Sequence, residues 1–583
     1  MIAKRNSKPL KHDFRLGVLG LCWALILGAC GGGSSSSSSA NQTLTGVFID
    51  SPVAGVSYNT ASRSGVTDNN GTFEYEAGEQ VTFNLGSVEL GSVPGANEVT
   101  LFDLAGMTEI PTDYASFSEA MWITEENNVG PLNRVTNLAM LLQSLDADAN
   151  PENGIEIPSG IDGFMDSTIN LDENYWEFQI GGNGRDARGL PGLLRAANNA
   201  QLLSPRPVTH PAKALEHVFE QAGVEVVLWG NTTSTIDNNA DGAIDWLRTL
   251  TYGPTGDVDR DTYDSDGDGN LDLIYDYTYN DNYQTLSYTR DSNGDGTVDQ
   301  TTEFVYDEFG ARTLRQDTNA SGTPTSREVL EYDIDGNLVR RTTGVDTTSV
   351  EIWIVDEDGM RSTADYDTDG DGVVDRRITL TYEGRPRGDR WLRADIDDDM
   401  DGTIDGVRIR SFNARGQMLT NERDDNLDGT LDYTEYFTYN EQGFQTSYQR
   451  DIGGNGVDYA RTSSRRTDGQ VSEDQYDSDG DGVYESGNRY TYDEEGKRTR
   501  LESYRDAGAT IVYVYTYTYN SDGKQQTRSY DRNGDGTIND MYEYFYNENG
   551  QLERWTRDRN NDSTIDYVAT HEGWVNIGLA SYF

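Results

Sequence analysis

The chain has 583 residues and a formal net charge of −54, with 46 Lys+Arg against 100 Asp+Glu; it carries 62 Gly, 14 Pro, 35 Tyr and 2 Cys. The charge argues against a nucleic-acid partner, because phosphate binding needs clustered Lys and Arg. An aromatic content of 10% argues against a chain disordered throughout, and two cysteines confined to the N-terminal region, Cys22 and Cys30, leave no disulfide scaffold downstream.

The first element is an address. Lys4, Arg5, Lys8, Lys11 and Arg15 precede an apolar run, 16–29, that is too short to span a bilayer as a mature helix. The run ends in Leu27, Gly28, Ala29 and Cys30. This resembles the signal of bacterial lipoproteins, and the resemblance implies removal of residues 1–29 and acylation (palmitate) of Cys30. A lipid-blocked Cys30 does no thiol chemistry. Residues 31–39 read GGGSSSSSS, so 30–42 is a flexible, lipid-anchored tether. Gly31, not Asp, follows the cysteine. By resemblance to Gram-negative sorting signals, this implies the cell outer membrane, on either face.

Residues 43–105 alternate apolar and polar side chains, as in Thr72, Phe73, Glu74, Tyr75 and in Val81, Thr82, Phe83, Asn84, Leu85, with turn signals about every 10 residues. That predicts a small β-sandwich. The string DSPVAGVSY, followed by SGVTDNNGTFEYEAGE, resembles prealbumin-like modules of bacterial surface proteins. These are compact spacers or carbohydrate-facing units.

Residues 106–230 form a mixed, helical linker domain. In 131–145, Val135, Leu138, Leu141 and Leu142 share one helical face. Asp146, Asp148, Asn150 and Glu152 follow at alternate positions. They suit either a hard cation or a polar helix-to-loop turn. Residues 187–223 are helical again and hold His210 and His217, whose spacing without a nearby Cys fits packing better than metal ligation.

From 231 to 583 the chain is one repeat. Acidic loops begin at Asp237, Asp264, Asp291, Asp367, Asp397, Asp424, Asp477, Asp531 and Asp558, commonly 27 residues apart. Position 3 is Asn239, Asp266, Asn293, Asp369, Asp399, Asn426, Asp479, Asn533 and Asn560. Position 5 is Asp241, Asp268, Asp295, Asp371, Asp401, Asp428, Asp481, Asp535 and Asp562, and position 9 is Asp245, Asp272, Asp299, Asp375, Asp405, Asp432, Glu485, Asn539 and Asp566. Degraded copies sit at 317, at 451 and near 506. A second signature lies out of phase: an aromatic (Leu330 in the copy that ends at Gly336), any residue, Tyr, Asn or Asp, then Gly three residues later, ending at Gly310, Gly336, Gly443, Gly496, Gly523 and Gly550. The first copy has Tyr283 where Gly is expected.

The stretches between turns alternate Tyr, Thr, Val and Phe, which means strands. Only Pro254, Pro324 and Pro386 interrupt them. Two strands per unit over about 13 units of 26–27 residues predict roughly 26 antiparallel strands. Acidic loops fall on one edge, Asn/Asp-Gly turns on the other, and a Tyr ladder on one face. The expected fold is mainly β: a small sandwich, a short helical segment, then an antiparallel repeat array twisted into a spiral or shell. The turn signature resembles the Rhs/YD repeats of bacterial cell-surface and toxin-shell proteins. No toxin-like domain follows the last repeat, which sets the chain apart from that family's toxins.

Oxygen side chains at 1, 3, 5 and 9 with Gly at 6 resemble the first part of an EF-hand calcium loop. That resemblance implies multiple calcium ions of weak to moderate affinity, ligated by the side chains named above, with a position-7 carbonyl such as that of Asn270 as a fifth ligand. No Glu stands at position 12, and strands follow the loops, unlike in a true EF-hand. The competing account is an acidic turn that bonds its own backbone. No GxSxG, HExxH or P-loop occurs, so no catalytic residue is assigned. Trp353, Trp391 and Trp555 suit either sugar stacking or sheet packing. The ending GLASYF reads as a closing strand, because the strands lack an apolar lipid-facing band. The expected role is structural or adhesive in the bacterial envelope. The alternative is a shell that binds a surface glycan or protein; a hydrolase comes last.

Overall fold

The computed structural model describes residues 42–122, 129–165, 169–180, 189–334, 336–346, 348–355, 360–382, 391–415, 417–441, 443–467 and 469–583. The readings placed on the signal peptide, on Cys30, on the tether up to 41 and on Pro386 lie outside these residues. Met1–Gln42 and Thr43–Phe583 are separate units, and all that follows concerns the second.

Residues 43–100 form two small sheets. Thr43–Ile49 pairs with Thr72–Glu76 and Glu98–Thr100; the other sheet orders Ser64–Val66, Ser57–Asn59, Gln80–Leu85 and Val88–Pro94. Phe48, Phe73 and Phe83 meet between them, with ring centroids 4.8 and 5.1 Å apart, and are wholly buried. The same core continues into the helices. The helix Pro131–Leu145 is buried on every side, not only along its Val135–Leu138–Leu142 face. Its polar residues are therefore hydrogen-bonded inside the core. Asn137 donates to the carbonyls of Leu171 (3.1 Å) and Glu173 (2.8 Å), and Gln143 donates to Asp50 and to the Ala214 carbonyl, both at 3.0 Å.

The repeats form a closed barrel of consecutive antiparallel strands running from Thr233–Asp237 to Tyr567–Glu572, and these two strands pair with each other. The shell, rather than the spiral, is what the repeat builds. Each strand alternates. One face carries Tyr, Trp and Arg, for example Tyr515, Tyr530 and Tyr542; the other carries hydroxyls paired across strands, such as Thr438 with Ser447 (2.7 Å) and Thr518 with Thr527 (2.7 Å). A cavity of about 740 Å³ is lined by the aromatic face of consecutive strands from Gln300–Tyr306 to Gly406–Phe412. That face is therefore concave and looks into the lumen.

The second signature has a mechanical explanation. Its Tyr sits at a bulge and donates its hydroxyl to a backbone carbonyl of the preceding hairpin: Tyr279 to Val258 (2.9 Å), Tyr306 to Thr285 (3.0 Å), Tyr439 to Met418 (2.9 Å), Tyr492 to Val471 (2.8 Å) and Tyr546 to Gln525 (2.8 Å). The next residue closes the turn on itself; Asn520 Oδ1 accepts from the amides of Asp522 and Lys524. The residue after the Gly reaches forward: Gln284, Gln417, Gln470 and Lys497 donate to the carbonyls of Gly310, Gly443, Gly496 and Gly523. Units with both bonds are thereby tied to both neighbours at this rim.

The helical module rests on that rim. Asn282 donates to the Val208 carbonyl (2.9 Å), the Val208 amide donates to the Phe309 carbonyl (3.2 Å), and Arg195 pairs with Asp307. Tyr283 departs from Gly here because its ring packs against His210 and under Lys213; it keeps the left-handed backbone, φ 60°. After the last barrel strand, Val575–Asn576 pairs with Trp229–Gly230. Ile577, Leu579 and Ala580 then enter the module's core, and Tyr582 meets Phe117 edge to face at 4.6 Å and accepts from Trp122 Nε1 at 2.8 Å.

Phe117→Ala is expected to cost about 3–5 kcal/mol in the module's urea transition. Combined with Tyr582→Ala it should show a coupling of about 0.5–1.5 kcal/mol. Strict additivity would mean that the tail contributes nothing to this core.

Candidate functional site

The acidic loops line the rim opposite the module. The loop at 264 shows their construction. Asp264 is buried at its base and accepts the amides of Gly267 (2.8 Å) and Gly269 (2.9 Å); Asp268 accepts the Asn270 amide (2.8 Å), and Asp272 accepts that of Ser265 (2.6 Å). The same bonds recur at Asp367, Asp375, Asp477 and Glu485. The curl needs left-handed backbone at position 6, as in Gly269 (φ 89°), and at position 4, as in Gly267 (φ 71°). Position 4 also lies against the preceding loop: a Cβ on Gly267 would come within 1.9 Å of the Ile244 carbonyl oxygen. The loops are stacked, which the nine-residue pattern alone did not reveal.

The structure divides the predicted loops by position 3. Where it is Asp, carboxylate oxygens gather within 4.8 Å: Asp264, Asp266 and Asp272; Asp367, Asp369 and Asp371; Asp397, Asp399 and Asp405; and Asp477, Asp479, Asp481 and Glu485. Where it is Asn, its amide caps position 5 in four loops: Asn239 to Asp241 (3.1 Å), Asn293 to Asp295 (3.3 Å), Asn533 to Asp535 (2.9 Å) and Asn560 to Asp562 (3.0 Å). In the remaining Asn loop, Asn426 Oδ1 accepts the Asp428 amide (2.9 Å) and Asp432 accepts that of Asp425 (2.7 Å). The first group can hold metal ions; in the capped loops the Asn amide occupies one oxygen of the position-5 carboxylate. Backbone bonds from the loop itself hold Asp268, Glu485 and Asp535 below the usual carboxylate range.

The degraded copies are built otherwise. Asp317 accepts from Thr302 Oγ1 (2.7 Å), and Asn319 closes a tight hairpin. At 506–508 a short turn replaces the loop and the next strand lengthens to Thr510–Tyr519. At 451 only Asp458 and Asp451 bond the loop amides.

Asp146 and Asp148 bond the amide of Asn150 and, through Asp146, that of Glu156, the bonds that the polar-turn reading expects. His210 caps its helix through Nδ1 (3.3 Å to the Ala212 amide) and burial lowers it to about 4. His571 lies 3.1 Å from Ser234 Oγ. Trp555 stacks on Tyr567 at 4.6 Å, while Trp353 and Trp391 sit in the lumen cavity. Sequence reasoning missed the arginines that share the aromatic face. Their parity with the Tyr ladder was the available signal.

A buried polar cluster joins the sandwich to the helices. His217 lies 3.1 Å from Ser51 Oγ, 3.0 Å from Glu152 and 4.0 Å from Asp50. Burial raises the Asp50 carboxyl to about 7 despite the Gln143 hydrogen bond and the nearby His217.

No family model matches the chain, and no curated protein matches it in sequence. Crystal structures of a TcdB2-TccC3 complex match 56% of this chain and 21% of theirs, at 14% identity and a TM-score of 0.24. A porin-like protein from Bacteroides uniformis matches 42% of this chain and 94% of its own, at 13% identity and a TM-score of 0.16. The chain spans about a fifth of the TcdB2-TccC3 chain. Likeness at these scores carries no argument, and closure of the barrel rests on its own strand pairing.

Asp50 keeps its proton when folded at a pH where the unfolded chain has released it. Its contribution to stability is full below about pH 4 and lost as pH rises through 7. Asp50→Asn retains the Gln143 bond and should flatten that loss, raising the module's melting temperature at pH 8 more than at pH 5. Parallel pH slopes in variant and parent would contradict the assignment.

Proposed function

We propose that the chain is a non-enzymatic shell of the bacterial envelope, lipid-anchored at the outer membrane through Cys30, whose acidic rim is stiffened by calcium. Its role is structural or adhesive. The observation that carries this reading is the closed barrel with carboxylate clusters on the rim away from the module. Calcium suits the clusters because it is hard, takes six to eight oxygens and tolerates irregular geometry. Two carboxylates about 4 Å apart repel by roughly 1–4 kcal/mol between water and a protein surface. A cation removes that repulsion and stabilises the folded loop by mass action. Extracellular modules of this type bind at about 10⁻⁴–10⁻³ M. The lipoprotein-like start supports the anchoring. A second reading, a shell that holds a glycan or protein, is favoured by the Arg- and Trp-lined cavity.

Circular dichroism melts of residues 41–583 test the metal, first in chelator and then across roughly 0.01–10 mM calcium. The melting temperature should climb steeply with calcium. An unchanged melt with a β spectrum in chelator would reduce the loops to acidic turns.

Asp479→Asn tests the charge balance, since Asn already stands at position 3 elsewhere. It should stabilise by roughly 1 kcal/mol in chelator and destabilise by a similar amount in calcium. The same sign in both buffers would rule out a cation among Asp477, Asp479, Asp481 and Glu485.

A further inference from the structure

The lumen cavity inverts the charge of the molecule. In a chain of −54, its charged lining is Arg312, Arg341, Arg361, Arg408 and Arg410 against Glu328 and Glu351. Glu328 is already engaged by Arg312 (2.6 Å) and Arg341 (2.8 Å). Arg408 Nε is buried without a hydrogen-bond partner. The guanidiniums of Arg361 and Arg410 lie over Trp353 and Trp391 at 4.5 and 3.8 Å. The ring contact fixes each guanidinium against a rigid wall, and a guanidinium so placed suits capture of a carboxylate. A guanidinium offers donors and no acceptor, so Arg408, with its buried Nε unpartnered, in a wall where arginines outnumber carboxylates, calls for a ligand rich in acceptors and negative charge.

We propose that this cavity binds an acidic oligosaccharide, a short glycan bearing carboxylates. Ring, hydroxyl and carboxylate oxygens match a donor-rich wall. A neutral sugar brings no charge to meet the guanidiniums. An extended peptide presents alternating N–H and C=O groups and adds at a sheet edge, and the closed barrel has none. The volume, about 740 Å³, lies within the ordinary range for ligand sites. The proposal deepens the second reading of the shell and rests on the barrel being closed.

The test titrates the full chain with trigalacturonate, maltotriose and triglutamate in about 1 mM calcium, following tryptophan fluorescence and heat. Trigalacturonate should bind and quench Trp353 and Trp391, weaken as salt is added, and exceed the other two probes by about tenfold or more. Arg408→Gln should lower its affinity by about tenfold, Arg408→Lys by less, and Arg340→Gln, on the opposite face, not at all. Equal binding of maltotriose, or of triglutamate, overturns the acidic-sugar assignment. So does trigalacturonate binding that ignores Arg408→Gln, which would mean calcium bridging at the rim. No binding by a protein that still melts cooperatively as β-sheet overturns the proposal and leaves the shell standing. Loss of that β melt in the parent chain is the failure of the shell itself.

Discussion

A sheet of short strands has two edges unless its first strand finds its last, and here Thr233–Asp237 finds Tyr567–Glu572. That pairing leaves no barrel strand with a free edge, so the barrel can expose long rows of Thr and Ser to water without templating association. It also creates an inside. Once the sheet closes, alternate positions of every strand are committed to the lumen or to solvent, and a slip of one residue would exchange the two. Tyr, Trp and Arg fill one set, with acids such as Glu328 and Glu351 among them, and hydroxyls dominate the other.

Register in such a barrel has to be held at many places, because any hairpin could slide. The two rims do this differently. At the module end, the Tyr hydroxyl reaches back and a Gln or Lys after the turn reaches forward, so hydrogen bonds to backbone carbonyls lock units to their neighbours. At the other end, loops stack by backbone contact and concentrate charge. One rim is satisfied by the chain alone; the other gathers like charge that a cation would relieve.

Much of this was legible. The strand count, the antiparallel order and the placement of both turn types followed from a period of 26–27 and from alternation in segments such as 513–519. Closure was not, because it depends on the summed twist and on one long-range pairing that no local pattern encodes. Nor was the difference between Asp and Asn at position 3, since both supply an oxygen and only the three-dimensional loop shows the Asn amide turning back on position 5. The burial of the helix Pro131–Leu145 on all sides went beyond its one apolar face; Asn137 and Gln143 can be buried only because they find partners 34 and more positions away.

The seam has a consequence for synthesis. A chain emerging N-terminus first completes the sandwich and helices long before Ile577, Leu579 and Tyr582 exist, yet these residues fill the same core as Phe117 and Phe219. Until the last repeat is made, that core stays open and greasy. A product that stops short is therefore marked as unfinished at its opposite end, where holdases and proteases that recognise exposed apolar surface can find it.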